Sequence, residues 1–164
     1  MRSSAPLLAL AAALVPGTAP AACKPLLDAV DAMARQTRYA LYEVSGPQQP
    51  LPAEPEVVLI GAVSYVRDGR SWERVDIADS LGASPWATLR KEVAAGQVRC
   101  RPAGSGSYRG AAVNKMEVER LRRKDGARFV WIDRRSGLPV YEGDDGEGIA
   151  VLYGDAVKEP RLRR

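Results

Sequence analysis

The sequence predicts an α+β domain in which an antiparallel sheet of about eight strands packs on two helices. Two segments have apolar residues at helical spacing, and each has a proline in its first turn. Most of the remaining chain consists of short runs rich in β-branched and aromatic residues, separated by Gly, Pro and Asp turns. Because consecutive strands joined by short turns pair with each other, we expect the sheet to be antiparallel.

The first segment, residues 1–21, has the three parts of a secretory signal peptide. Arg2 supplies the basic start, residues 7–15 form a short apolar run, and Ala19 and Ala21 form an A-x-A cleavage signal. The apolar run is too short to span a bilayer. We therefore expect an exported, periplasmic protein whose signal peptide is cleaved near Ala21.

The mature part, residues 22–160, predicts a single domain, and residues 161–164 form a basic tail. A mature length of about 140 residues is enough for one hydrophobic core. No later apolar run approaches the ~20 residues that a transmembrane helix requires. We therefore expect a soluble monomer with no transmembrane segment.

The two cysteines, Cys23 and Cys100, both lie in the mature part. In an exported chain an intramolecular disulfide is the default for such a pair, and here it would close a loop of roughly 75 residues. The alternative is that Cys23 carries a lipid anchor. It is less favoured, because Pro20 occupies the position where a lipobox has an aliphatic residue.

The two predicted helices differ in where they begin and end. Residues 24–36 predict the first, with Pro25 in its first turn. Its apolar face consists of Leu26, Leu27, Val30, Met33 and Ala34. The second helix begins with Ser84 as N-cap and Pro85 at the first helical position, and Gly96 ends it. Its buried stripe consists of Trp86, Leu89 and Val93.

Alternating and β-rich runs predict the strands. They lie at residues 38–44, 56–60, 62–66, 71–77, 111–122, 129–133, 138–142 and 149–153, with a further strand-like run at 97–101. In the strand at 71–77, Trp72 points to the opposite side from Val75 and Ile77. Residues 102–107 predict a Gly/Ser loop. Residues 45–55 are rich in proline and predict either a connector, which is favoured, or a mobile flap beside a binding site.

The clearest local signal is a hairpin at residues 129–141. Residues 134–137 are a plausible turn, in which Gly137 is free to adopt positive φ. Asp133 can accept hydrogen bonds from the backbone of that turn. Pro139 has no N–H and therefore fits best near the start of a strand.

Catalytic and metal chemistry find little support in the composition. The chain contains no histidine, which removes the commonest general base and the commonest transition-metal ligand. Residues 104–107 are a flexible loop rather than a nucleophile elbow. The acidic loop with Glu142, Asp144, Asp145 and Glu147 lacks the ligand spacing of a calcium loop and predicts a solvated turn. We expect no enzymatic activity, no metal and no cofactor.

The chain is mildly basic, with a formal net charge of +4. Basic residues cluster at 120–124, 134–135 and 161–164, and we interpret these clusters as solvated strand ends, turns and a tail. Nucleic acid is not an expected partner of an exported chain. An anionic lipid headgroup or envelope surface is a more reasonable weak partner.

The string Trp131-Ile132-Asp133-x-x-Ser136-Gly137-Leu138-Pro139 resembles a hairpin pattern of the periplasmic lipoprotein-carrier superfamily, the LolA/LolB-like half-barrels. It also resembles related periplasmic regulators of anti-sigma factors. The export signal, the N-terminal helix and the strands between Val57 and Trp72 support the resemblance, as does Tyr153-Gly154-Asp155. The order of features matches over most of residues 24–160. The resemblance implies a curved sheet wrapped around helices, and a non-catalytic protein that holds an acyl chain or lipidated peptide between them.

Two functions remain open from the sequence. The first is a periplasmic binding protein that holds a hydrophobic or lipid-like ligand in a half-barrel. The second is an envelope interaction or regulatory protein with a filled core, an envelope protein as partner and no small-molecule ligand. For the first, the candidate residues lining the cavity are Trp72, Trp86, Leu89, Met116 and Trp131.

Overall fold

The structure is a computed structural model that describes residues 21–76, 85–122 and 126–162. The predicted signal peptide, apart from Ala21, lies outside the described residues. The same is true of the predicted cap Ser84, of Ile77 and of the last two residues of the basic tail. Within the described part of the chain, no helix is both long and apolar enough to cross a membrane.

The described elements form one antiparallel sheet with two helices. The helices are α1 (Lys24–Ala34) and α2 (Pro85–Ala94). The strands are β1 (Arg38–Val44), β2 (Val57–Ile60), β3 (Val63–Asp68), β4 (Ser71–Asp76), β5 (Val98–Tyr108), β6 (Ala111–Arg120), β7 (Ala127–Asp133), β8 (Pro139–Gly143) and β9 (Gly148–Tyr153). They are ordered β4-β3-β2-β1-β9-β8-β7-β6-β5, so β4 and β5 are the two edges of a curved sheet that does not close. The predicted α+β half-barrel is therefore confirmed, with nine strands rather than about eight.

Strand β5 is much longer than predicted. Residues 102–107, expected to be a loop, continue the strand, and Ser105 to Tyr108 pair with β6. The register shifts between Pro102 and Ser105, which marks a bulge. The low strand propensity of Gly and Ser is overridden here because β6 offers a continuous partner strand, and the bulge absorbs the irregular residues.

Both helices pack on one face of the sheet, which we call the inner face. The buried residues there form one cluster around Leu26, Leu89, Val93 and Val130, each of which is fully shielded from solvent. Pro25 occupies the first turn of α1, where a missing N–H breaks no helical hydrogen bond. The predicted buried stripe of α2 is confirmed. Around this cluster, side chains from the helices and from the sheet therefore fill the space between the two layers.

The outer face of the sheet carries two further buried clusters. One is built on the aromatic residues of β5, β7 and β8 and is covered in part by Leu51 of the proline-rich segment. The other is built on β1 to β3 and is covered by Val157 from the segment after β9. The proline-rich segment is held there, because the Arg109 side chain donates a hydrogen bond to the carbonyl of Gln49 at 2.7 Å.

The predicted disulfide between Cys23 and Cys100 is confirmed. The two Cα atoms are 5.1 Å apart, across 77 positions of sequence. Cys23 immediately precedes α1 and Cys100 lies on the edge strand β5, so the bond ties the start of the helix to the edge of the sheet. Both side chains are buried in the inner cluster.

The hairpin between β7 and β8 forms as predicted. Asp133 Oδ1 accepts hydrogen bonds from the backbone N–H of Arg135 at 2.9 Å and of Ser136 at 2.7 Å. Gly137 has a φ of 71°, a conformation in which a residue with a side chain would be strained. Pro139 is the first residue of β8. The hydrogen bond from the Ser136 backbone holds the pKa of Asp133 below its ordinary value.

Replacing Asp133 with asparagine is expected to lower the free energy of unfolding at neutral pH by about 0.5–1 kcal/mol, because the turn loses a charged acceptor. The folded pKa of Asp133 is depressed, so its contribution is present above the unfolded value of about 3.9 and is lost as pH falls through the folded value. Urea unfolding at several pH values should therefore show wild type and Asp133→Asn converging in acid. The control is Asp155→Asn on an exposed turn, and parallel curves for wild type and Asp133→Asn would contradict the prediction.

Candidate functional site

The five candidate lining residues are divided between the two faces of the sheet. Trp86, Leu89 and Met116 come together in the inner cluster, and each is at most 4% exposed. Trp131 lies on the outer face in the aromatic cluster, because it alternates with the inward-facing Val130 and Ile132. Trp72 also lies on the outer face, packed against the third cluster as its strand pattern predicts. Contact of these five residues with a ligand stays a prediction.

A groove opens beside Met116, between α1 and strands β5, β6 and β7. Its volume is about 500 Å³. Most of the exposed area of its walls is apolar, and the apolar residues include Ala29, Ala32, Pro102 and Ile132. The groove is open because small side chains line α1 here, and because the β5 bulge leaves no large side chain opposite them. Sequence reasoning missed Ala29 and Ala32, although their spacing of three places them together on the helix.

Lys115 lies at one side of this groove. It faces the β5 bulge, since Pro102 pairs with Met116 and Ser105 with Asn114, leaving Lys115 without a directly paired residue on β5. On the other side it pairs with Trp131 of β7. Its ammonium nitrogen is 4.1 Å from the centroid of the Trp131 ring. The side chain is half-buried and also borders a smaller pocket of about 200 Å³ on the outer face. Because Lys115 pairs with Trp131, its side chain lies on the outer face with the aromatic cluster, although the residue also borders the groove.

The aromatic cluster joins Tyr108, Trp131 and Tyr141, with ring centroids 5.2 to 5.9 Å apart. Tyr141 reaches into the acidic loop, where its hydroxyl donates a hydrogen bond to the carbonyl of Asp144 at 2.6 Å. Burial, followed by the nearby charge of Asp144, raises the pKa of Tyr141 to about 12, so the hydroxyl remains a donor at neutral pH. A Cβ at Gly148 would lie 2.4 Å from this hydroxyl, so only glycine fits there.

The acidic loop is closed on itself. Asp144 Oδ1 accepts hydrogen bonds from the backbone N–H of Gly146 at 2.8 Å and of Glu147 at 2.9 Å. These bonds hold the pKa of Asp144 below its ordinary value. Within the described residues, no group of three or more His, Cys, Asp and Glu side chains is arranged to hold a metal ion. The backbone carbonyls of Asp144 and Glu147 in this loop accept the hydrogen bond from the Tyr141 hydroxyl.

A buried charge network joins α2 to the inner face. Arg120 donates from Nε to Glu92 Oε2 at 2.9 Å, and its Nη2 lies 3.4 Å from Glu142 Oε1. The side chains of Arg120 and Glu142 are each 8% exposed, and that of Glu92 is 17% exposed. Glu142 Oε2 is buried without a hydrogen-bond partner. The prediction that these charges are solvated is thus wrong for Arg120 and Glu142.

The reason lies in strand alternation. Arg120 follows Met116 and Val118 on the inward-facing side of β6, and Glu142 pairs with the inward-facing Val130. Arg120 compensates Glu142, and the carboxylate of Glu92 from α2 also pairs with Arg120. The alternation of β6 was itself a signal for the burial of Arg120, but the basic residues that follow it suggested an exposed strand end.

Comparison with protein-family models and with curated proteins finds no match. Among solved structures, the lipoprotein LppX of Mycobacterium tuberculosis is similar with a TM-score of 0.46 and 17% sequence identity, covering 88% of this chain and 98% of LppX. LprF from Mycobacterium bovis is similar with a TM-score of 0.41 and 16% identity, covering 85% of this chain and 96% of LprF. These TM-scores and sequence identities are too low for the likeness to indicate a function or a ligand of this chain.

Proposed function

We propose that this chain is a non-catalytic, exported binding protein that holds a hydrophobic or lipid-like ligand in the groove between α1 and strands β5 to β7. The observation that carries the proposal is the groove itself, because its volume of about 500 Å³ falls within the range of ligand pockets. Its walls are mainly apolar. An acyl chain would gain about 0.8 kcal/mol for each methylene that the groove removes from water.

Other features of the chain agree with this role. The groove contains no histidine, since the chain has none. The A-x-A signal at Ala19 and Ala21 favours a periplasmic location, where a carrier of apolar molecules meets the envelope. The disulfide between Cys23 and Cys100 agrees with an oxidising compartment. It also fixes the start of α1, which forms one wall of the groove.

Filling the groove should weaken ligand binding. Ala32 is half-buried at the groove wall, and phenylalanine there would occupy the space of at least two methylenes. Ala32→Phe is therefore expected to weaken binding of a fluorescent fatty-acid probe by about tenfold or more. Native mass spectrometry of the exported protein should also show less co-purified lipid.

The matched control is Ala94→Phe, which adds the same side chain at an exposed position of α2. It should bind the probe as wild type does. Thermal unfolding of both variants checks that the fold is intact. The proposal fails if wild type neither binds the probe nor carries lipid, or if Ala32→Phe binds as tightly as wild type.

A second candidate function is an envelope interaction or regulatory protein that binds no small molecule. The observation in its favour is the filled inner cluster, because large side chains of both layers, such as Trp86 of α2 and Met116 of β6, occupy the space beneath the helices. Cross-linking in intact cells would discriminate between the two. A specific envelope protein that is captured equally well by Ala32→Phe would favour this second function.

A further inference from the structure

We propose that the ligand has a single acyl chain, and that Met116 sets the longest chain that the groove accepts because it forms the closed end of the groove. This inference rests on the proposed function, and it adds the class of ligand and the residue that determines its length. The methyl end of the chain would lie against Met116. The head group would remain in solvent at the hairpin turn, where Gly137 lines the groove and is exposed.

Strand β6 shows where the groove ends. Asn114, Met116 and Val118 follow one another along its inner side, because alternate residues of a strand share a face. Asn114 lines the groove and is exposed. Met116 also lines the groove but is only 4% exposed, and Val118 is buried and does not line it. Met116 therefore lies at the boundary between the open groove and the filled inner cluster.

Strand β5 closes the groove at the same level. Pro102, which pairs with Met116, lines the groove and is exposed. Cys100, which pairs with Val118, is buried in the inner cluster and does not line the groove. Because the disulfide joins Cys100 to Cys23 at the start of α1, the helix and the edge strand are held together covalently at this closed end.

The side chain of Met116 is the one that limits the depth of the groove. Three of the residues that line the groove also belong to the inner cluster, namely Ala29, Met116 and Ile132. Met116 has the longest side chain of the three, and it pairs across the sheet with Val130, which is fully shielded from solvent. A shorter side chain at position 116 would therefore extend the groove inward rather than widen its mouth.

The volume of the groove matches one acyl chain and not two. A methylene fills about as much space as a water molecule does in the liquid, roughly 30 Å³. A groove of about 500 Å³ therefore holds on the order of 15 methylenes. A second long chain would need another space of similar size. The adjoining part of the inner face is occupied by buried side chains such as Leu26, Leu89 and Val130.

The test measures affinity as a function of chain length. Straight-chain fatty acids of eight to twenty carbons compete with a fluorescent fatty-acid probe on the purified protein at pH 8. The affinity of wild type should rise about fourfold with each added methylene, and it should stop rising once the chain reaches Met116. Met116→Ala is expected to move this plateau to chains about two carbons longer, because the lost side-chain atoms leave space at the end of the groove.

The matched control is Met33→Ala. Met33 is also 4% exposed and belongs to the inner cluster, but it does not line the groove. Both alanine variants should lower the midpoint of thermal unfolding, and only Met116→Ala should move the plateau. Met116→Val removes fewer atoms and suits a strand, so it should move the plateau by about one carbon and replaces the alanine variant if that variant does not fold.

The single-chain assignment has its own measurement. Native mass spectrometry of the protein mixed with a lysophospholipid and the diacyl phospholipid of the same head group and chain length shows which lipid is bound. The lysophospholipid complex is expected to be about tenfold more abundant. A predominant diacyl complex would overturn the single chain, and an unchanged plateau in both Met116 variants would overturn the role of Met116. Either result leaves the proposed function intact, whereas both proposals fail if neither the probe nor any fatty acid binds wild type.

Discussion

Replacing Arg120 with methionine is expected to lower the free energy of unfolding by about 3–5 kcal/mol, because the substitution leaves buried carboxylates without their shared cation. Arg120 and Glu142 are each only 8% exposed, so water cannot replace the lost partner. Glu142 is affected most, since its second carboxylate oxygen has no hydrogen-bond partner even in the wild-type protein. Urea unfolding of the purified variant at neutral pH measures the change.

Two further variants separate loss of compensation from loss of packing. Arg120→Met combined with Glu142→Met replaces buried charges by apolar groups of similar length and should regain much of the stability lost in the single variant. Arg101→Met breaks the exposed pair with Glu117 and should cost no more than about 1 kcal/mol. Equal effects of Arg120→Met and Arg101→Met would contradict the buried network.

Removing the disulfide by replacing both Cys23 and Cys100 with alanine is expected to lower the free energy of unfolding by about 4 kcal/mol. The bond connects residues 77 positions apart, so it removes a large share of the conformations open to the unfolded chain. The stability should fall mainly because the unfolded chain gains conformational freedom. The free energy of unfolding of the double variant should also depend more steeply on urea, because its unfolded state is more expanded. Urea unfolding of the oxidised wild type and the double variant tests both expectations.

The control is wild type unfolded in the presence of a reductant, which should match the double variant. Without denaturant the bond should resist reduction, because Cys23 and Cys100 are 0% and 4% exposed. Two free thiols in the purified protein would contradict the bond, as would a lipid on Cys23, which leaves the Cys100 thiol free. Mass analysis under non-reducing conditions distinguishes these states.

Features that depend on residues close in sequence could be predicted well. The hairpin is the best example, because Asp133 bonds to residues two and three positions away and Gly137 supplies the φ that the turn requires. The buried stripe of α2 follows in the same way from the helical period, which places Trp86, Leu89 and Val93 on one side. In each case the structure is decided by residues that are only a few positions apart in the sequence.

The candidate site was predicted less well, because it depends on partners far apart in sequence. Trp131 was a candidate for an internal cavity, yet the register of β7 places it on the outer face beside Tyr108 and Tyr141. Residues 102–107 have the composition of a loop and become strand only because β6 pairs with them. Ala29 and Ala32 form a wall of the groove because the bulge of β5 lies across from them.

The amino-acid sequence by itself determined the α+β class, the position of both helices, the hairpin before β8 and the disulfide between Cys23 and Cys100. These features follow from local periodicity, turn chemistry and the number of cysteines, which can be read from the sequence without knowing which distant residues meet. Only the tertiary structure decided which face of the sheet each aromatic residue occupies, that Arg120 is buried, and where a groove remains open. The physical reason is that the burial and packing of a side chain depend on strands and helices that meet it from distant parts of the chain.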